Sequence, residues 1–245
     1  MSTRQEPFKT EISGAMAFVT GANRGIGACI VEALLAAGAS KVYAAARNPE
    51  SVPVKPKVVP IALDVTSFEQ ALEAARQCGD VQILVNNAGI ALGQPLIGTN
   101  DHGAAAREMS VNYFGTLSVT RAFAPILARN GGGAVVNVLS ILGRVSAPAA
   151  GSYSASKAAA FSLTQGIRAE LARQGTLVVG LMPGFVDTDM VRQVKAPKLP
   201  PADVADALIH ALRTGTEDVY PGMAGDVEKG LRHDPKAVER QFAAR

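Results

Sequence analysis

The chain has 245 residues, 48% of them apolar, 5% aromatic and 18% charged. That supplies an aliphatic, two-sided core and argues against disorder. The net charge of +3 comes without a basic run, so there is no nucleic-acid footprint. No stretch approaches the roughly 20 apolar residues of a membrane span, and residues 1–11 are polar, without a signal-peptide core. Cys29 and Cys78 lie far apart in expected helices. They read as free thiols of a reducing compartment, so a cytoplasmic protein is expected.

Residues 15–20 (Ala-Met-Ala-Phe-Val-Thr) are nearly all apolar, as suits a strand buried on both faces of a parallel sheet. A glycine turn over 21–27 opens a helix with Ile26, Ile30, Val31, Leu34 and Leu35 apolar, stopped by Gly38 at a left-handed position. Strands follow at 41–46, 58–63 and 81–85, with a helix over 67–78 and a break at Asn48-Pro49. One long helix is expected over 104–128, bent or ended by Pro125, then a strand over 134–139 that delivers Ser140. A helix carrying Tyr153 and Lys157 runs to about Arg173, followed by a strand at 177–182, a helix from Pro200-Pro201 to Leu212 and a short strand at 219–220. Strand and helix alternate throughout, which means a parallel sheet covered on both faces. The expectation is one α/β domain over 1–245, doubly wound with seven strands, with polar tails at 1–14 and 222–245.

Thr20-Gly-Ala-Asn-Arg-Gly-Ile-Gly27 spaces its glycines as G-x-x-x-G-x-G. Gly21 permits a tight turn, Gly25 and Gly27 let the backbone approach a pyrophosphate, and the helix N-terminus offers N–H donors. The far end of such a dinucleotide is read about twenty residues later, at the tip of the second strand. A carboxylate there would suit NAD; this chain has Ala46-Arg47, with Arg24 in the turn itself. Two guanidiniums favour the 2′-phosphate of NADP(H) over NAD(H). Asp64, closing the third strand, suits either an adenine contact or the N-cap of the next helix. The amides of Asn86-Asn87-Ala88-Gly89 suit pinning the central helix and the adenosine ribose, or an ordinary turn. Asn112 is a poor helix former inside a helix. A carbonyl freed there would hold a water beside Lys157; the alternative is an asparagine tying two strands together.

Tyr153 and Lys157 stand four apart, one above the other on a helix face. A nearby ammonium favours phenolate and brings a phenol of pKa about 10 toward neutrality. A shift of about three units needs about 4 kcal/mol, at ~1.36 kcal/mol per unit. One lysine and one cofactor cation could supply it.

Together these segments resemble the short-chain dehydrogenase/reductase family from residue 15 to residue 220. The resemblance rests on Thr20-Gly-x-x-Arg-Gly-Ile-Gly27, Asp64-Val65, Asn86-Asn-Ala-Gly89, Val111-Asn112, Ser140, Tyr153-Ser-Ala-Ser-Lys157 and Pro183-Gly-x-Val-x-Thr-Asp-Met190, in the family's order and spacing. It implies a Rossmann fold and a catalytic tetrad of Asn112, Ser140, Tyr153 and Lys157. Tyr153 would be the acid in carbonyl reduction and Ser140 a donor to the substrate oxygen. Lys157 would lower the phenol pKa and hold the nicotinamide ribose, and Asn112 would position a water for proton return. The implied NADP(H) cleft comprises Gly21, Asn23, Arg24, Gly25, Ile26, Gly27, Arg47, Asp64, Val65, Asn87, Ala88, Gly89, Tyr153, Lys157, Pro183, Gly184, Val186 and Thr188. Val186 and Thr188 would hold the carboxamide, with Gly184 letting the ring lie close. No metal is implied.

Leu139, Leu177 and Val179 depart from residues common in the family, outside the tetrad. Ile90, Leu92, Ile141, Leu142 and Phe185 suggest an apolar mouth, with Lys195 and Lys198 in a short loop beside it. The implied activity is NADPH-dependent reduction of a ketone or aldehyde. The rivals are a β-ketoacyl–carrier-protein reductase with Arg129 and Arg173 beside the cleft, an alcohol dehydrogenase working oxidatively, and a non-catalytic NADPH sensor or scaffold. The resemblance also implies a homodimer or homotetramer paired through the two long helices.

Overall fold

Seven short strands pair side by side in the order β3-β2-β1-β4-β5-β6-β7, every pair parallel. The computed structural model describes residues 9–244. Residues 1–8, most of the expected N-terminal tail, and Arg245 lie outside the described residues. The strands are β1 (Met16–Thr20), β2 (Lys41–Ala46), β3 (Val58–Ala62), β4 (Ile83–Asn86), β5 (Ala134–Val138), β6 (Leu177–Leu181) and β7 (Asp218–Val219). The helices are α1 (Gly25–Ala36), α2 (Phe68–Gln77), α3 (Ala104–Met109), α4 (Thr116–Arg129), α5 (Gly151–Leu171), α6 (Pro201–Thr214), α7 (Ala224–His233) and α8 (Pro235–Ala243).

Alternation along each strand sends side chains to two cores. Val19, Val42, Val85, Val136 and Val179 meet α1 and α6 on one face. Phe18, Tyr43, Leu84, Val135 and Val178 meet α2, α4 and α5 on the other, where the Phe18 and Phe123 rings lie 4.5 Å apart. Burial on both faces is why the inner strands read as continuous apolar runs. β1 lies between β2 and β4. The winding therefore reverses there, and the strands' C-terminal ends splay apart into a crevice.

The expected helix over 104–128 is three pieces: α3, a π-helical segment (Ser110–Gly115) and α4. Within it the Thr116 hydroxyl donates to Asn112 O at 2.9 Å, and Thr120 to Thr116 O at 2.7 Å. Gly115 lets this segment approach Val65, whose Cγ2 would lie 2.7 Å from a Cβ there. Pro125 does not end α4, which continues to Arg129.

The larger difference is at the C-terminus, where the expected polar tail forms α7 and α8. Val227 and Leu231, then Val238 and Phe242, are apolar four apart. They pack on Leu142, Val145 and Ala147, just beyond Ser140. Their stripe is too narrow to stand out in a charged sequence. Asp234, which accepts from Ala237 N at 2.9 Å ahead of Pro235, was the available start signal.

Candidate active site

The turn between β1 and α1 is held by close packing rather than by side-chain caps. Gly21 and Gly25 take positive φ. A Cβ on Gly27 would lie 2.2 Å from Gly21 O and 2.5 Å from Asn87 Nδ2. Thr20 Oγ1 accepts from the N–H groups of Asn87 and Ala88 at 2.9 and 3.0 Å. Asn87 Nδ2 donates to Thr20 O and Gly21 O at 2.9 and 3.0 Å. That amide is therefore committed to joining the β1 turn to the end of β4. Asn86 does pin the central helix, donating to Thr120 Oγ1 at 3.0 Å and Asn137 Oδ1 at 2.9 Å. Among the described residues no side chain caps α1, so its first-turn N–H groups remain available to an anion.

The turn borders a cavity of about 1000 Å³ at the C-terminal edge of the sheet. Its walls include every expected cofactor residue from Gly21 to Gly89, together with Tyr153, Lys157 and Thr188. Pro183, Gly184 and Val186 stand outside that lining. Pro183 O accepts from Ile141 N at 3.0 Å, a Cβ on Gly184 would lie 3.2 Å from Met223 Cγ, and Val186 is buried and bridged to Leu199. At the β2 end Arg47 is exposed. Asn48 and Ser51 share that end, with Asn23 Nδ2 donating to Ser51 Oγ at 3.1 Å. Neither is among the expected cofactor residues, although their position just after the β2 tip marked them. Arg24 is turned the other way, its Nη1 2.9 Å from Asp189 Oδ2.

Asp64 is not the N-cap of α2; Ser67 is, accepting from Gln70 N at 3.2 Å. Asp64 Oδ1 accepts from the Thr66 hydroxyl and N–H at 2.7 and 2.9 Å. Those bonds, with the Arg47 charge, hold its carboxyl below the usual range. Its place in the cavity wall leaves the adenine reading standing.

Asn112, Ser140, Tyr153 and Lys157 come from three elements; Tyr153 and Lys157 line this cavity, while Asn112 and Ser140 stand just behind its lining, Ser140 hydrogen-bonded to Tyr153 and Asn112 beside Gly89. Tyr153 lies in the first turn of α5, and Lys157 Nζ sits 5.8 Å from its ring centroid, donating to Val138 O at 2.9 Å. Ser140 leaves β5 and begins a short turn that presses on α5: a Cβ on Gly143 would lie 2.8 Å from Lys157 O. A Cβ on Gly89 would lie 3.1 Å from Asn112 Oδ1 and 3.4 Å from Lys157 Nζ. The Asn112 amide bonds Ile90 N and Ile90 O, both at 2.9 Å, and Ser156 Oγ at 2.9 Å. It ties segments together, and its carbonyl takes the Thr116 hydroxyl while keeping a second lone pair.

The protein's own groups, taken without the cofactor cation on which the expected depression also relied, favour the protonated phenol. Burial pushes the Tyr153 phenol up to about 12, opposed by the Ser140 hydroxyl and assisted by the charge of Glu108. Burial also pushes the Lys157 ammonium down to about 8. Desolvation of the phenolate is the largest cause of the Tyr153 shift.

Of the residues proposed for a carrier protein, Arg129 ends α4 and Arg173 follows α5. Both precede strands that lead into the cleft, which places them at the opposite edge of the sheet. Lys198 is paired with Asp187 at 3.7 Å, beside the mouth.

With fold and cleft in view, the comparisons with known proteins agree. Residues 15–199 match the short chain dehydrogenase family, and the chain belongs to it. It is similar to a short chain dehydrogenase from Burkholderia cenocepacia in complex with NADP. The two are 47% identical with a TM-score of 0.92, over 95% of this chain and 98% of the other. It is 35% identical to an uncharacterised oxidoreductase of Staphylococcus saprophyticus, over 83% of this chain and 93% of the relative. A 3-ketoacyl-(acyl-carrier-protein) reductase from Brucella melitensis, complexed with NADH, matches at 26% identity and TM-score 0.77. That match covers 87% of this chain and 99% of the other. The chain is thus an oxidoreductase of the family that acts on CH–OH and carbonyl groups. Among the described residues no helix is long and apolar enough to cross a membrane.

Proposed function

We propose that this chain reduces a ketone or aldehyde with NADPH, Tyr153 giving the proton. The observation that carries the reading is a phenol held protonated, with its pKa raised to about 12, beside Ser140 at the inner end of a dinucleotide-sized cleft. An acid that stays protonated near neutrality suits the reductive direction.

The cleft suits the cofactor: uncapped N–H groups at α1 for the pyrophosphate, and Arg47 with Asn48 and Ser51 for a 2′-phosphate. The NADP complex of the Burkholderia protein supports the same choice. Bound there, the reduced nicotinamide supplies the hydride. Ser140 Oγ donates to the substrate oxygen and stabilises charge as it develops. Tyr153 Oη delivers its proton to that oxygen. Lys157 holds the nicotinamide ribose and stabilises the phenolate left behind. Asn112 holds a water on its carbonyl through which the proton is returned. Thr188 reaches the carboxamide from the cavity wall, while Val186 and Gly184 act from behind it by shaping the loop.

Ile90 and Leu142 border the mouth as half-buried apolar side chains, which suits an apolar carbonyl compound. The carrier-protein reading loses Arg129 and Arg173, which sit at the wrong edge. Free Cys29 and Cys78 suit a cytoplasmic setting. We also propose pairing of copies through α4 and α5, supported by Phe114, which is 54% exposed just ahead of α4; light scattering tests it.

The experiment for the reaction is NADPH consumption over a panel of ketones, aldehydes, quinones and a ketoacyl thioester. Turnover of an apolar ketone or aldehyde supports the reading. Tight NADPH binding with no turnover on any substrate would leave a sensor or scaffold instead.

A further inference from the structure

Glu108 is a carboxylate sealed inside the protein at 0% exposure, and among the described residues it has no ion-pair partner. It lies on α3, the short helix that packs against α5. Its Oε1 accepts from Leu92 N at 2.7 Å. Its Oε2 finds no donor among the described residues. Burial of a carboxyl with one oxygen unpaired is costly, and such groups call for a role other than stability. One turn further along stands Asn112, which bonds both backbone groups of Ile90. The two side chains, four residues apart, thus hold alternate residues of the segment that leaves β4 and borders the mouth. The same segment meets α5 where Ser152 Oγ approaches Gln94 O at 3.5 Å.

We propose that Glu108 is a positioning residue for the chemistry at Tyr153, seating the Ile90–Gln94 segment through Leu92 and bringing a buried carboxyl to the contact between α3 and α5. This rests on the reductase reading of Tyr153 given above. Ser140 from the β5 end bonds the phenol, Lys157 Nζ from its own helix lies 5.8 Å from the ring centroid, and Glu108 from α3 acts on it through its charge. Arg107, beside Glu108 in sequence, lines the cavity and is bound to Asp101. From α5, Ser152 and Ser156 are buried on the same side and are uncharged. Charge on Glu108 opposes phenolate formation. Lys157 favours phenolate, so the two set the phenol's proton affinity from opposite sides. The net effect keeps the proton on Tyr153, where a carbonyl reduction needs it. Leu92 seated by the same carboxyl fixes one wall of the substrate's approach. One side chain thereby couples the wall to the acid.

The test compares Glu108→Gln and Glu108→Ala with the parent in the NADP-bound protein. Gln keeps an acceptor for Leu92 N–H and removes the charge; Ala removes both. The first readout is a spectroscopic titration of the phenol, each variant referenced to its Tyr153→Phe counterpart so that the Tyr153 signal is isolated. The midpoint should fall by roughly half a pH unit or more in Glu108→Gln, the size expected for losing a nearby charge in a partly dry site. An unmoved midpoint overturns the proposal. Because this titration needs no substrate, it stands even if no carbonyl compound turns over, an outcome that would count against the reductase reading alone. The second readout is steady-state kinetics on the best substrate of the panel. Glu108→Ala should raise KM roughly tenfold while Glu108→Gln stays near the parent, with NADPH affinity unchanged in both. Equal KM in Ala and parent overturns the seating role. Should the Ala variant fail to fold, Glu108→Gln decides through the titration.

Discussion

Arg24 Nη1 lies 2.9 Å from Asp189 Oδ2, joining two residues 165 positions apart across the mouth of the cleft. Arg24 belongs to the β1–α1 turn, and Asp189 to the loop after β6, which also binds Arg192 through the same carboxylate. The two segments touch directly beneath the pair, where a Cβ on Gly25 would lie 3.3 Å from Thr188 Cγ2. Arg24 holds the Asp189 carboxyl below its ordinary range, with Arg192 assisting. Both partners are well exposed, so the pair is weak and yields readily to a better anion.

A 2′-phosphate is such an anion, and Asp189 competes with it for Arg24. Asp189→Asn should therefore tighten NADPH roughly two- to fivefold at low salt and leave NADH unchanged, the gain fading as salt screens it. Titration of cofactor fluorescence at two salt concentrations measures this. Equal gains for both cofactors would show that Arg24 does not meet the 2′ end.

Tyr153→Phe removes the acid and keeps the ring. Turnover should fall on the order of a thousandfold, within the range for a positioned general acid. NADPH affinity should stay within about twofold, since the first-turn N–H groups of α1 and Arg47 remain. Comparable turnover in the variant would sink the assignment.

Lys157 links activity to stability. Its ammonium is buried and its pKa is lowered from 10.5 to about 8. The unfolded chain therefore binds more protons than the folded one between those values, and folding stability attributable to Lys157 rises with pH across that window. Below pH 8 the full penalty is present, about 3 kcal/mol at ~1.36 kcal/mol per unit. Lys157→Met abolishes this dependence. The stability difference, variant minus parent, should thus fall by about 3 kcal/mol between pH 7 and pH 10.5. Urea unfolding at several pH values measures it, with other titrating groups cancelling in the difference. A flat difference would mean that the ammonium is solvated.

Gly27 has no room for a side chain. Its Cβ would meet Gly21 O at 2.2 Å, a backbone atom that cannot rotate away. Gly27→Ala should destabilise the fold by about 1–3 kcal/mol, as overpacking does, and weaken cofactor binding by displacing α1 from the turn. Thermal unfolding and NADPH titration together check both effects. Gly166, where an added Cβ meets nothing within 4 Å, is the matched control.

The strands, their parallel pairing and the glycine turn were legible in the sequence because each depends on short-range chemistry. A strand buried on both faces must be apolar throughout, as in residues 134–138, and a turn against a pyrophosphate must be glycine-rich. Tyr153 and Lys157 must be four apart to share a helix face. The direction of the Tyr153 shift was not legible, because spacing reveals the ammonium and says nothing of how dry the site is. Burial decided it, and burial is set by the packing of α3, β5 and α5 together. The same limit hid the partner of Arg24, the commitment of Asn87 to Thr20 and Gly21, and the packing of Val238 and Phe242 beyond Ser140. Each is a contact between segments far apart in the chain. The chain by itself determined which chemistry-bearing groups are present and at which strand ends they emerge. Tertiary structure alone decided which of them meet and which are shut away from water, because those contacts arise only when the parallel sheet brings distant strand ends to one edge.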